Sequence, residues 1–167
     1  NNSLTKANNT ALISELDVNQ NIELLNPLSK DLNVMRQSLL FSGLENISYN
    51  INRNNKDIKF YEFGKTYHKT KKENIENKHL QILVSGSINS ESWNTKSVQV
   101  DFYFIKKQVE NILKKLGISK FKSLNDIGMG MSYSLTYSCN NNRLVSFGKV
   151  NTILCNEFGI KKDVFMA

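Results

Sequence analysis

Few side chains in this sequence are suited to chemistry. His68 and His79 are the only histidines, and a charged stretch separates them. No cysteine or carboxylate stands at metal-ligand spacing beside either one. Cys139 and Cys155 are the only thiols; they share no zinc-type spacing and read as reduced, partly buried cysteines. A Ser-His-Asp arrangement draws its members from distant positions, but no serine lies in a Gly-x-Ser-x-Gly elbow. Phosphate chemistry lacks its motifs too. There is no P-loop and no dinucleotide glycine fingerprint, and Gly128-Met129-Gly130 reads as a bend before a strand. That leaves Glu62, set between Tyr61 and Phe63. A buried glutamate needs a cationic partner, or its pKa climbs until it is neutral. Arg36 and Arg53 are the candidate partners, and an ion pair pinning a helix to a sheet is the preferred reading.

The elements that would position these residues follow from periodicity. Residues 1–20 are polar and asparagine-rich and read as irregular. Residues 21–26 are a short strand candidate ended by Pro27, the only proline, which donates no ladder hydrogen bond. Leu40, Leu44, Ile47 and Ile51 recur on one face of a helix expected over 37–52, with Gly43 inside it. Residues 58–66 read as an aromatic strand covered on both faces, 69–77 as a charged loop, and 80–88 as a half-buried strand. Residues 89–97 form a loop holding Trp93. A second helix is expected over 102–116, with Asp101 as its N-cap and Gly117 just past its end. Alternation from Met131 to Cys139 and from Leu144 to Val150 predicts a hairpin turned by Asn140-Asn141-Asn142. Thr152 can cap a short helix through Phe158, ended by Gly159. Strands joined by hairpin-length links predict an α+β fold, an antiparallel sheet flanked by helices. No repeat or linker divides the 167 residues, so residues 1–167 are expected to form one domain.

The formal charge of +7 suits contact with nucleic acid or an acidic partner. The lysines are dispersed, however, and the densest group, Lys65, Lys69, Lys71 and Lys72, is followed by Glu73 and Glu76. Apolar runs fall far short of the ~20 residues that span a bilayer, so no membrane span is expected. A start without Met and an apolar end, Val164-Phe165-Met166-Ala167, read as the limits of a piece of a longer protein.

Four segments in order resemble the β chain of bacterial phenylalanyl-tRNA synthetases. They are Asn26-Pro27-Leu28-Ser29, Met35-Arg36-Gln37-Ser38-Leu39-Leu40, Asn50-Ile51-Asn52-Arg53 and Tyr61-Glu62-Phe63-Gly64-Lys65-Thr66-Tyr67. The family pattern is Asn-Pro-Leu-Ser, Leu-Arg-x-Ser-Leu-Leu, Tyr-Asn-x-x-Arg and Phe-Glu-x-Gly-x-x-Phe. Trp93, then Val100-Asp101-Phe102-Tyr103-Phe104-Ile105-Lys106 with Val109-Glu110, extends the likeness.

The resemblance implies a catalytic-like core similar to a class II synthetase domain that does no chemistry itself. It would pack on the catalytic α chain of an (αβ)₂, cytoplasmic enzyme that joins phenylalanine to tRNA(Phe) with ATP and Mg²⁺. No cofactor is expected in this piece. The class II pattern places an arginine after Gly-x-x-Phe to hold the α-phosphate; here His68 stands there, and Thr70 replaces its acidic companion. The third-motif arginine is also absent near Gly148. Without these cations phosphate charge goes unstabilised, so no catalytic, cofactor-binding or metal residue is expected. Pro27, Arg36, Leu40, Leu44, Glu62 and Gly64 are structural or interface candidates. The alternatives are a tRNA-contacting basic module and a divergent ligase domain. The final third departs from the family at Gly128-Met129-Gly130-Met131 and Gly148-Lys149-Val150-Asn151-Thr152.

Overall fold

The computed structural model describes residues 2–27, 29, 31–89, 93–94 and 96–167. Leu28 of the Asn-Pro-Leu-Ser segment, and residues 90–92 and 95 of the loop before the second helix, lie outside them. Chain packing forms two compact units, one of residues up to 46 with 61–81, the other of 47–60 with 82–167.

The first unit begins with β1 (Leu4–Thr5), α1 (Ala7–Thr10) and a 3₁₀ turn at Val18–Gln20. β2 (Val34–Met35) pairs antiparallel with β1, Leu4 opposite Met35 and Thr5 opposite Val34. The strand expected over 21–26 is reduced to one bridge, Glu23 opposite Val34. Its ladder bonds run from Met35 N–H to the Ile22 carbonyl (2.9 Å) and from Leu24 N–H to the Asn33 carbonyl (3.0 Å). Pro27, with no N–H to offer, lies exposed beyond the pairing.

The first long helix, α2 (Leu40–Ile51), starts three residues later than the periodicity predicts. Arg36, the residue after β2, is tied to backbone on both sides. Its N–H donates to the Ser3 carbonyl (3.0 Å), and its carbonyl accepts from Tyr67 N–H (2.9 Å). Ser38 Oγ then accepts from Leu40 N–H at 3.1 Å, satisfying a free donor of the first turn. With its amide oxygen and nitrogen exchanged, the Gln81 side chain fits the same place, accepting from Leu40 N–H at 3.2 Å and donating to the Leu39 carbonyl at 3.0 Å. Leu40, Leu44 and Ile47 are fully buried.

β3 (Ile58–Lys69) and β4 (Asn74–Ser85) are each 12 residues long. The link between them is closed by Thr70 N–H and Oγ1 donating to the Glu73 carbonyl, at 2.9 and 2.6 Å. Residues 74–77, expected to be loop, are therefore strand. Every residue from Asn74 to Leu80 is exposed, so backbone pairing holds a segment that has no apolar alternation to betray it.

The sheet runs β3-β4-β8-β7-β6-β5. In the second unit, α3 (Phe102–Lys115) is capped by Asp101, whose side chain accepts from Phe104 N–H at 2.8 Å. Gly117 follows with φ +75°, a conformation glycine adopts without steric cost. β5 (Lys122–Leu124) is the exposed edge. β6 (Met131–Cys139) and β7 (Asn142–Val150) form the predicted hairpin. Asn140 and Asn141, at φ 49° and 63°, make its two-residue turn. α4 (Thr152–Glu157) is capped by Asn151 rather than Thr152, through Oδ1 accepting from Ile153 N–H at 2.8 Å. β8 (Val164–Met166) lies between β4 and β7, with Leu83 opposite Met166 and Lys149 opposite Phe165. Val84, Ile105, Val109, Leu113, Tyr137, Phe147 and Phe165 form this unit's core.

Candidate functional site

Alternation along β3 sends Glu62, Gly64, Thr66 and His68 to one face and Tyr61, Phe63, Lys65 and Tyr67 to the other. The first face is filled from within. Arg36 Nη1 donates to Glu62 Oε1 at 2.7 Å, and the two side chains are 4% and 6% exposed. Arg36 Nε donates to the Lys65 carbonyl at 3.0 Å. Glu62 therefore takes Arg36 as its partner, while Arg53 lies over the Tyr49 ring, 3.4 Å from its centroid. Gly64 makes room for this arrangement. A Cβ there would stand 2.5 Å from Arg36 Nη2, 2.7 Å from Leu39 Cδ2 and 2.9 Å from Glu62 Oε1.

Further along the same face, Thr66 Oγ1 and His79 Nε2 share a hydrogen bond of 3.0 Å. Desolvation, then the neighbouring His79, pulls the His68 pKa below its ordinary value; desolvation lowers that of His79. Thr70, exposed in the turn, is tied to Glu73. Among the described residues no group of three or more His, Cys, Asp or Glu could hold a metal ion.

The second face is open. Tyr61 and Phe63 are 69% and 74% exposed and pack edge to face with centroids 5.8 Å apart. The expectation of a strand covered on both faces is thus wrong on this side. The aromatic composition that suggested burial supplies exposed rings.

In the second unit Gly148 sits in β7 opposite Ser134, where a Cβ would meet the Tyr133 carbonyl. Lys149, next to it, is held by Asp163 at 2.7 Å. Cys155 is buried, and burial pushes its thiol up to about 11; at neutral pH it is protonated and inert.

An antiparallel sheet of this order with flanking helices is the fold of a class II aminoacyl-tRNA synthetase catalytic core. A pyrrolysyl-tRNA synthetase from Desulfitobacterium hafniense shares it at a TM-score of 0.66 and 15% identity, over 98% of this chain and 55% of that one. The family is given by sequence: the model for "Phenylalanyl tRNA synthetase beta chain CLM domain" matches residues 1–167, and the chain belongs to that family. It is 39% identical to the phenylalanine–tRNA ligase beta subunit of Bacteroides thetaiotaomicron and 37% identical to that of Bacteroides fragilis. All of this chain is covered in both comparisons, and the chain spans 22% of the length of each relative. No described helix is long and apolar enough to cross a membrane.

Proposed function

We propose that this chain is the chemically inert, catalytic-like module of a phenylalanine–tRNA ligase β subunit. It packs against a catalytic α chain in an (αβ)₂ cytoplasmic enzyme that charges tRNA(Phe) using ATP and Mg²⁺. Both compact units serve this one module.

The observation that carries the reading is the closed face of β3. The class II pattern puts a phosphate-binding arginine on this face; here the position is His68, whose lowered pKa keeps the ring neutral near pH 7. A neutral imidazole offers phosphate no charge, and it lacks the two-pronged donor geometry of guanidinium. The one buried guanidinium of this face, Arg36, is already committed to Glu62 and the Lys65 carbonyl. The residues present do not fit ATP and Mg²⁺, so the chemistry is assigned to the α chain. Arg36, Glu62 and Gly64 act as the frame of the face, and Leu40 and Leu44 as core rather than as a surface offered to a partner. Pro27 and Thr70 lie exposed, outside helices and strands.

The test uses purified α and β chains, assayed apart and together for phenylalanine-dependent ATP–pyrophosphate exchange. The β chain alone should give background exchange, and adding it to the α chain should restore full turnover. Exchange by the β chain alone would overturn the reading.

A further inference from the structure

The open face of the β3–β4 ribbon has a composition that the partner-supporting role does not use. Tyr61, Phe63, Lys65, Tyr67 and Lys69 share one face of β3 by alternation. Lys65 Nζ meets Glu76 Oε1 at 2.6 Å, which puts the alternating residues Glu76, Lys78 and Leu80 of β4 on that same face. Tyr61 and Phe63 are mostly exposed, and Leu80 is 38% exposed. The turn adds Lys71 and Lys72. Between Tyr61 and Leu80 the exposed charge of the ribbon thus amounts to five lysines, at 65, 69, 71, 72 and 78, against Glu73 and Glu76; Lys59, nearer the start of β3, is engaged by the Ile88 carbonyl.

We propose that the exposed Tyr61–Phe63 pair and the lysines of the β3–β4 ribbon form a binding surface for single-stranded RNA. Every base has a π-face, so solvent-exposed aromatic rings on an antiparallel strand can stack unpaired bases without reading sequence. Lysines beyond the rings, toward the turn, can follow the phosphate backbone leaving the stacked bases. Charge chooses the occupant. A protein-binding patch is typically depleted in lysine around its aromatic core, whereas here the surplus is positive and unpaired but for Lys65. The surplus also matches the net charge of +7 over the whole chain. Duplex RNA is disfavoured, because its bases are already stacked and offer the rings nothing. This role is additional to holding an α chain and does not depend on it.

The experiment uses the complete ligase carrying this chain and a short, unstructured oligoribonucleotide. Ultraviolet cross-linking followed by peptide mass spectrometry should place adducts on Tyr61 or Phe63. The double variant Tyr61→Ala/Phe63→Ala should weaken binding roughly tenfold or more through lost stacking. Lys69→Gln/Lys71→Gln/Lys72→Gln, confined to the turn and strand end, keeps the rings and the fold. It should lower the slope of log affinity against log salt by about 2, at about 0.7 per single-strand phosphate contact. Adducts only outside residues 61–72, or parental affinity and salt slope in both variants, would overturn the proposal. A protein partner covering the patch would produce that second pattern and would overturn it equally.

Discussion

Arg36 and Glu62, 26 residues apart, bring Nη1 and Oε1 to 2.7 Å with almost no solvent exposure. A buried pair is costly to assemble and more costly to halve, because the remaining charge is left in a poor solvent. Glu62→Leu should therefore cost about 3–5 kcal/mol in urea unfolding. Arg36→Met/Glu62→Leu, which removes both charges, should be less destabilised than Glu62→Leu alone. A single variant within about 1 kcal/mol of the parent would show that the pair anchors nothing.

Gly64 should resist a change as small as Ala. The added methyl would press on Arg36 Nη2, Leu39 Cδ2 and Glu62 Oε1 together, and overpacking of this kind costs about 1–3 kcal/mol. Gly159→Ala is the control: its Cβ meets nothing within 4 Å, but φ is +70°, so only backbone strain of about 1–2 kcal/mol applies. In the double variant Gly64→Ala/Glu62→Leu the two penalties should fail to add, since they share Glu62 as neighbour. Strict additivity in thermal melts would contradict this crowding.

Leu40 and Leu44 were candidates for a partner surface, and both side chains are wholly enclosed. Leu44→Ala should cost about 2–5 kcal/mol, and Leu44→Lys should leave the chain unfolded by circular dichroism. A folded Leu44→Lys chain that merely lost its partner in a pull-down would contradict the assignment to the core.

The two long helices, the β6–β7 hairpin and the α+β class could be read from residue pattern because each has one buried and one wet side. Ile105, Val109 and Leu113 repeat at helical spacing and are buried, and Asn140-Asn141 announces its turn by residue type. β8 was not legible. Val164, Phe165 and Met166 are all buried, so a three-residue central strand shows neither alternation nor length. The polar half of β4 was missed for the opposite reason, since all of Asn74–Leu80 is exposed. At the candidate site, residue chemistry alone singles out Glu62, and the class II pattern singles out Gly64 and His68. Neither selects Arg36 over Arg53; that depends on the register of the Arg36 backbone between Ser3 and Tyr67.

His68 and His79 give the fold a sensitivity to acid. Their pKa values are lowered on folding, from an ordinary 6.5, so below that value the unfolded chain takes up protons more readily. Stability then rises with pH in this range. It should be at full strength above about pH 6.5 and fall as the pH drops from there through the folded-state values. His68→Gln/His79→Gln should flatten that part of a plot of Tm against pH from 7.5 to about 5, where carboxylates begin to titrate. An unchanged slope would mean that the rings are as solvated in the folded chain as in the unfolded one.

The most direct measurement is phenylalanine-dependent ATP–pyrophosphate exchange by the assembled ligase carrying His68→Ala/Thr70→Ala in this chain. On the proposed reading the two residues occupy the phosphate positions of a class II site and take no part in the chemistry. Exchange should stay within about twofold of the parent, below the roughly tenfold that 1.36 kcal/mol of lost transition-state binding would produce. A loss of about 100-fold or more, with the complex still assembled, would contradict it by showing that this face takes part in catalysis.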